Sequence, residues 1–172
     1  MDENLILLSE RSYSVMLKKG IIMDSIDRKI LKILQNNART PVKAIAAEVF
    51  LSSPAVSARI ENLEKQGYIT GFHASINRYR LGYHITAFIE LSMEPSKKQE
   101  FYKYIEKEPH VLECNFITGD YSMLLKVAFH STLELDAFIG QLQNWGHTRT
   151  QIVFSTPVEP RGARIPDKDF EV

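Results

Sequence analysis

Ser53, Ser57 and Ala58 fall toward one side of a helical run whose Val56, Ile60 and Leu63 face inward. Hydroxyls near the start of such a helix can hydrogen-bond base edges in a DNA groove, or can simply cap and decorate the helix. Positive charge stands around them. Arg59 flanks the apolar face, where its planar fork suits a phosphate contact and a structural ion pair equally well. Arg39, Lys43 and His73 are further candidates for phosphate contact, against an ordinary solvated role. A second group, Thr118, Gly119, Asp120, Tyr121 and Ser122, forms a turn between two apolar strand patterns. Glycine supplies the positive φ such a turn needs. An acid and hydroxyls beside it can also hold a polar ligand through a few contacts.

Other chemistries find no support in residue type or spacing. His73, His84, His110, His130 and His147 show no close metal-ligand spacing. The single cysteine, Cys114, excludes an internal disulfide and a cysteine-rich zinc site, and reads as a buried thiol of a reducing cytoplasm. No glycine-rich phosphate loop or nucleophile motif is present. The expectation is a binding protein without metal or cofactor rather than an enzyme.

The elements that must position these residues are legible. Asp24 can cap a first helix with Ile26, Ile30, Ile33 and Leu34 inward. Thr40 and Pro41 open a second, small-residue helix through Val49. Phe50 and Leu51 turn the chain, Ser52 or Ser53 caps the third helix, and Gly67 stops it. This is the grammar of a helix-turn-helix, and Tyr68 to Ile76 reads as a short hairpin, the wing of a winged helix. The later residues alternate strand and helix. Ile85, Ala87, Ile89, Leu91 and Met93 alternate with Thr86, Phe88, Glu90 and Ser92. A helix over Lys97 to Glu106, strands over Val111 to Ile117 and Tyr121 to Ala128, a helix from Thr132 ended by Gly146, and a strand over Thr148 to Ser155 complete β-α-β-β-α-β, the ferredoxin-like order. The fold class is α+β. Two helices on one sheet face would leave a free apolar face, and a second copy of the chain is its simplest cover.

The divisions are an extension over 1–22 (flexible, or an upstream start), a winged helix-turn-helix over 23–76, a linker over 77–82, a ferredoxin-like domain over 83–156 and a tail over 157–172. The tail is rich in Pro, Gly and charge and reads as loose, or as an arm over a neighbour. Among 172 residues the formal charges balance to zero, but unevenly. Residues 23–80 carry nine Lys/Arg against five Asp/Glu, and residues 81–172 carry nine against thirteen. A basic half joined to an acidic half suits a DNA module linked to a ligand or partner module. No run approaches the roughly 20 apolar residues of a membrane span. Leu5-Ile6-Leu7-Leu8 follows Asp2 and Glu3, the wrong charge for a secretory signal.

The combination resembles the Lrp/AsnC family, the feast/famine regulators of bacteria and archaea. Asp27-Arg28-Lys29-Ile30-Leu31 looks like the family's opening helix. Leu51-Ser52-Ser53-Pro54-Ala55-Val56-Ser57-Ala58-Arg59-Ile60 with Leu63-Glu64-Lys65-Gln66-Gly67-Tyr68-Ile69 looks like its recognition helix and wing. Leu81-Gly82-Tyr83 matches its link, Gly119-Asp120-Tyr121 with Leu124-Leu125-Lys126-Val127 its glycine turn and third strand, and Thr148-Arg149-Thr150 its last strand. The resemblance implies a cytoplasmic transcription regulator that binds double-stranded DNA as a homodimer and assembles further to octamers. It also implies that a small-molecule effector, often an amino acid, binds between RAM-type second domains, which places Thr118 to Ser122 in an effector pocket. Two positions depart from the family pattern. Ser122 stands where the family often has an acid that could meet an amino acid's ammonium. Ser53, Ala58, Glu61 and Asn62 occupy a recognition face that is often basic. Two other readings remain. Siroheme decarboxylases resemble the same layout, although their His-Asn-Tyr segment has no counterpart here, since His110 is followed by Val111-Leu112. An architectural protein with broad, weak DNA binding is the third.

Overall fold

Asp24 accepts a hydrogen bond from the Asp27 N–H at 2.7 Å and so starts α1, Ser25–Asn36. Its buried stripe is Ile30 and Leu34, with Ile26 and Ile33 half-buried beside them. α2 runs Val42–Val49 and α3 Ser53–Lys65. Thr40 does not cap α2. Its hydroxyl donates instead to the Asn37 carbonyl at 2.7 Å, and Pro41 takes the cap position. Ser52 caps α3, its hydroxyl accepting from Ala55 N–H at 3.4 Å. α3 closes with paired bonds, Gly67 N–H to Glu64 O and Tyr68 N–H to Leu63 O, the Schellman pattern. Ile45, Ala46, Val49, Val56 and Leu63 complete one apolar core with α1. The described structure, a computed structural model, covers residues 23–168. The extension over 1–22 therefore lies outside the described residues.

The expected wing is not a hairpin. Residues 68–76 make no strand ladder. Apart from Ile69 the segment is exposed, so little apolar burial holds two arms together. Only Ile69 packs against the helical core.

The second unit, Ser75–Glu159, holds a four-stranded antiparallel sheet in the order β2-β3-β1-β4. Its elements are β1 Ile85–Met93, α4 Lys98–Ile105, β2 Val111–Phe116, β3 Met123–Phe129, α5 Thr132–Leu142 and β4 Gly146–Ile152. This is the ferredoxin-like arrangement. α4 and α5 cover one face, where Phe101, Ile105, Leu135, Phe138 and Leu142 pack on Ala87, Ile89, Leu91, Leu125 and Val127. Each such Val, Leu, Ile or Phe side chain contributes about 1.5–3 kcal/mol on full burial.

The opposite face corrects the expectation of a free apolar surface. Glu113, Lys126, Phe88 and Gln151 form one row across the four strands, and Asn115, Leu124, Glu90 and Arg149 the next. Only Phe88 and Leu124 are apolar there. Lys126 meets Glu113 at 3.4 Å, and Arg149 bonds Glu90. Period-two alternation fixes that one face is apolar, and in β1 the helices claim that face. Gly146 does not end α5; the helix stops at Leu142 and Gly146 begins β4.

The tail also differs from the loose segment expected. Its described part belongs to the first unit, which runs to Ala74 and resumes at Pro160. Ile165 sits against α1 and the segment after α3, in a groove lined by Leu31, Leu34, Gln35, Ala38 and Ile69. Gln35 Nε2 donates to the Ala163 carbonyl at 3.0 Å, and Lys32 pairs with Asp167 at 2.7 Å.

Candidate nucleic-acid interface and effector site

The turn between α2 and α3 is tight. Phe50 adopts a left-handed conformation with φ 57° and is 89% exposed. Its N–H still closes α2 on the Ala46 carbonyl. That turn sets the N-terminal end of α3, where Ser53 and Ser57 are half-buried and Ala58 is exposed. Because Ser52 provides the capping hydroxyl, that of Ser53 is not needed for the cap. Arg39 and Lys43 are exposed at the entry and first turn of α2. His73 is exposed in the segment after α3, its ring lying over Gly71, where a Cβ would come within 2.7 Å of Nε2.

Arg59 takes the structural alternative. Its Nη1 donates to Asp24 Oδ2 at 2.6 Å and to Asp27 Oδ1 at 2.8 Å, tying α3 to the start of α1. The bonds to Asp27 and then Asp24 raise the guanidinium pKa above its ordinary value, against a desolvation that lowers it. For Asp24, desolvation works toward a higher pKa. The Asp27 N–H and the guanidinium outweigh it and hold the carboxyl below its usual value. A guanidinium that already bridges two carboxylates must break that bridge to reach a phosphate. In this structure Arg59 thus clamps α3 to the start of α1.

In the second unit, the turn after β2 is built around Gly119, φ 115°, with Thr118 and Asp120 exposed and Tyr121 half-buried. Ser122 is less available than its type suggests. Its N–H and hydroxyl both donate to the Leu91 carbonyl, at 3.1 and 3.3 Å, and its own carbonyl accepts from Ile117 N–H. Ser122 thus sews the turn to β1. What meets the turn is Arg149 of β4, whose guanidinium lies 5.0 Å from the Tyr121 ring centre and bonds Glu90 of β1. The Glu90 bond, and further the charges of Glu90, Tyr121 and Asp120, raise the Arg149 pKa against a desolvation that lowers it. Glu90 and Arg149 were not among the site residues read from the sequence. They stand opposite one another in the β1–β4 register, a pairing between residues far apart in the chain.

The histidines mostly serve as flat apolar surfaces. His110 stacks on Phe129 and meets Glu108 at 3.0 Å, His130 stacks on Tyr83, and His84 packs edge-on to Tyr79. Cys114 is half-buried against the sheet core, and burial pushes its thiol pKa up, which disfavours the reactive thiolate.

Residues 23–70 match a winged helix-turn-helix DNA-binding model, and residues 86–163 match the Lrp/AsnC ligand binding domain. The chain is 33% identical over 141 residues to the HTH-type transcriptional regulator FL11 of Pyrococcus furiosus, covering 80% of this chain and 93% of that protein. Among solved structures, E. coli AsnC is 28% identical, with TM-score 0.75 over 84% of this chain and 99% of its own. The feast or famine regulatory protein of M. tuberculosis, complexed with L-methionine, is 27% identical with TM-score 0.78, over 83% and 99%. No helix among the described residues is long and apolar enough to cross a membrane. A capped recognition helix in one unit, a charged turn on a ferredoxin-like sheet in the other, and matches to both in this order place the chain in the Lrp/AsnC family of DNA-binding transcriptional regulators.

Proposed function

We propose that this regulator holds double-stranded DNA through the N-terminal part of α3, with Ser53, Ser57 and Ala58 at the base edges and Arg39, Lys43 and His73 on the phosphates. We further infer that it responds to an amino-acid effector seated on the Thr118–Ser122 turn. The observation that carries the second part is the charge pattern at that turn. A free amino acid presents a carboxylate and an ammonium a few bonds apart. Arg149, held in place by its bond to Glu90, presents the matching cation on its 57% exposed side chain, and the exposed Asp120 presents the matching anion, with the Tyr121 ring beside them. Asp120 compensates for the serine at position 122. The protein acts by binding rather than by catalysis, and it works in the cytoplasm where its DNA lies. Its working form is a homodimer that assembles further to an octamer. Phe88 and Leu124 on the open sheet face, with Phe116 and Phe154 exposed near the sheet edges, support that reading.

Two measurements test this. Serine reads bases weakly compared with a bidentate arginine, so phosphate contacts carry much of the affinity. Arg39→Ala and Lys43→Ala should each lower the slope of log affinity against log salt by about 0.9 and weaken binding to all sequences alike. A loss confined to some sequences contradicts the phosphate assignment, and no DNA retention by the wild type at low salt sinks it. For the effector, calorimetric titration should begin with L-methionine and continue through other amino acids, nucleotides and other metabolites. Losing a charged hydrogen bond costs about 1.5–3 kcal/mol. Asp120→Ala or Arg149→Ala should therefore weaken effector binding at least about tenfold while basal DNA binding stays near wild type. Wild-type effector affinity in both variants would place the pocket elsewhere.

A further inference from the structure

The C-terminal arm presents two arginines whose purpose its own packing does not explain. Ile165, Ala163 and Asp167 dock the arm, as described above. Between and before these anchors stand Arg161 and Arg164, both exposed. Arg161 has no acidic partner among the described residues. Among the described residues Arg164 reaches Asp167, at 3.6 Å, and its side chain is 88% exposed while Lys32 holds that carboxylate more closely at 2.7 Å.

Direction along α1 decides where these charges lie. Asp167 pairs with Lys32, whereas Ala163 meets Gln35, one turn further on. The arm therefore runs antiparallel to α1, and its upstream end passes toward the C-terminal end of that helix. Arg39 and Lys43 follow directly from there. The approach is close at Gly162, where a Cβ would fall 2.1 Å from Gln35 Nε2 and displace the side chain that holds Ala163. A glycine beside an arginine, pressed onto the helix, fixes the arm's path and leaves the long charged side chain free.

We propose that the arm is a second DNA-contacting element, in which Arg161 and Arg164 bind backbone phosphates and extend the basic edge of Arg39 and Lys43. It rests on the DNA-binding role already assigned to the first unit. A thin recognition face makes such added, sequence-independent contacts useful. The guanidinium fork suits phosphate oxygens.

The test uses the full chain and a fluorescent mixed-sequence duplex, with anisotropy read over a salt series. The double variant Arg161→Ala/Arg164→Ala removes only exposed side chains and should melt like wild type. Its log–log salt slope should fall by about two. Arg161→Lys/Arg164→Lys should restore most of that slope. Ile165→Asp, which expels the anchor, should lower the slope although both arginines remain. An unchanged slope in the double alanine variant, with Arg39→Ala still lowering it, overturns the inference and leaves the regulator reading intact. Failure of the wild type to bind duplex at low salt overturns the regulator reading itself. A loss seen only with A·T-rich duplexes overturns the phosphate assignment, because phosphate contacts are blind to sequence.

Discussion

Ile89→Glu should unfold the second unit, whereas its neighbour Phe88→Glu should leave it folded. The two residues are adjacent on β1 but point to opposite faces of the sheet. Ile89 is fully buried under α4 and α5, among Leu125, Phe101 and Leu142. None of the residues packed there can pair with a carboxylate. An uncompensated buried charge costs about 3–5 kcal/mol, a large part of the roughly 5–15 kcal/mol that holds a domain together. Phe88 faces the open side, near Lys126, whose ammonium lies 6.0 Å from its ring centre. A glutamate there is half-buried and lies beside a lysine, so the fold should lose much less than with Ile89→Glu. Thermal unfolding by circular dichroism distinguishes the two. Light scattering adds a second readout, because Phe88→Glu removes one of the apolar residues proposed to support assembly and should reduce the mass in solution. A folded Ile89→Glu and an unfolded Phe88→Glu would show that the faces are the other way round.

Gly146→Ala should cost the second unit a large part of its stability. A Cβ at this position would lie 1.9 Å from the Ser92 carbonyl oxygen and 3.2 Å from the Met93 Cα. Both are backbone atoms of β1, and Gly146 pairs with Met93 at the start of the β1–β4 ladder. No side-chain rotation relieves the clash, so the strands must part. Overpacking of this kind costs about 1–3 kcal/mol. In a unit of this size that corresponds to a fall in melting temperature of roughly 4–8 °C for each kcal/mol. The displacement also reaches function, because Arg149 lies three residues along the same strand and must stay in register with Glu90. Effector affinity should therefore fall with stability. Gly140→Ala is the control. It lies in α5 with nothing within 4 Å of an added Cβ, and replacing a helical glycine there should stabilise by up to about 1 kcal/mol. Equal melting temperatures for the two variants would refute the close approach at Gly146.

Several features were determined by local sequence alone. Asp24 and Ser52 cap their helices because a short oxygen-bearing side chain ahead of an apolar period leaves little else to satisfy the first N–H groups. The three-helix order and the β-α-β-β-α-β order follow from periods of 3.6 and 2 that the chain keeps over whole elements. The glycine turn at 119 was legible for the same reason, since a positive φ is a property of a single residue.

What only the tertiary structure decided involves partners distant in the chain. Whether Arg59 met a phosphate or an acid depended on Asp24 and Asp27 arriving from α1, 35 and 32 residues earlier. The place of Arg149 beside the Gly119 turn depended on β4 pairing with β1 rather than with β2, a register no local pattern encodes. Ser122 looked like a ligand group until β1 brought the Leu91 carbonyl to its hydroxyl. The wing failed as a hairpin because turn residues alone do not supply a ladder; two arms must also find one another. The tail shows the same limit most plainly. Its composition is that of a loose segment, and Ile165 became an anchor because α1 and the residues after α3 leave a groove of its size. Local chemistry selects the elements, and contacts across many residues decide which polar groups remain free to work, because a charge or hydroxyl is available only if no distant neighbour has already satisfied it.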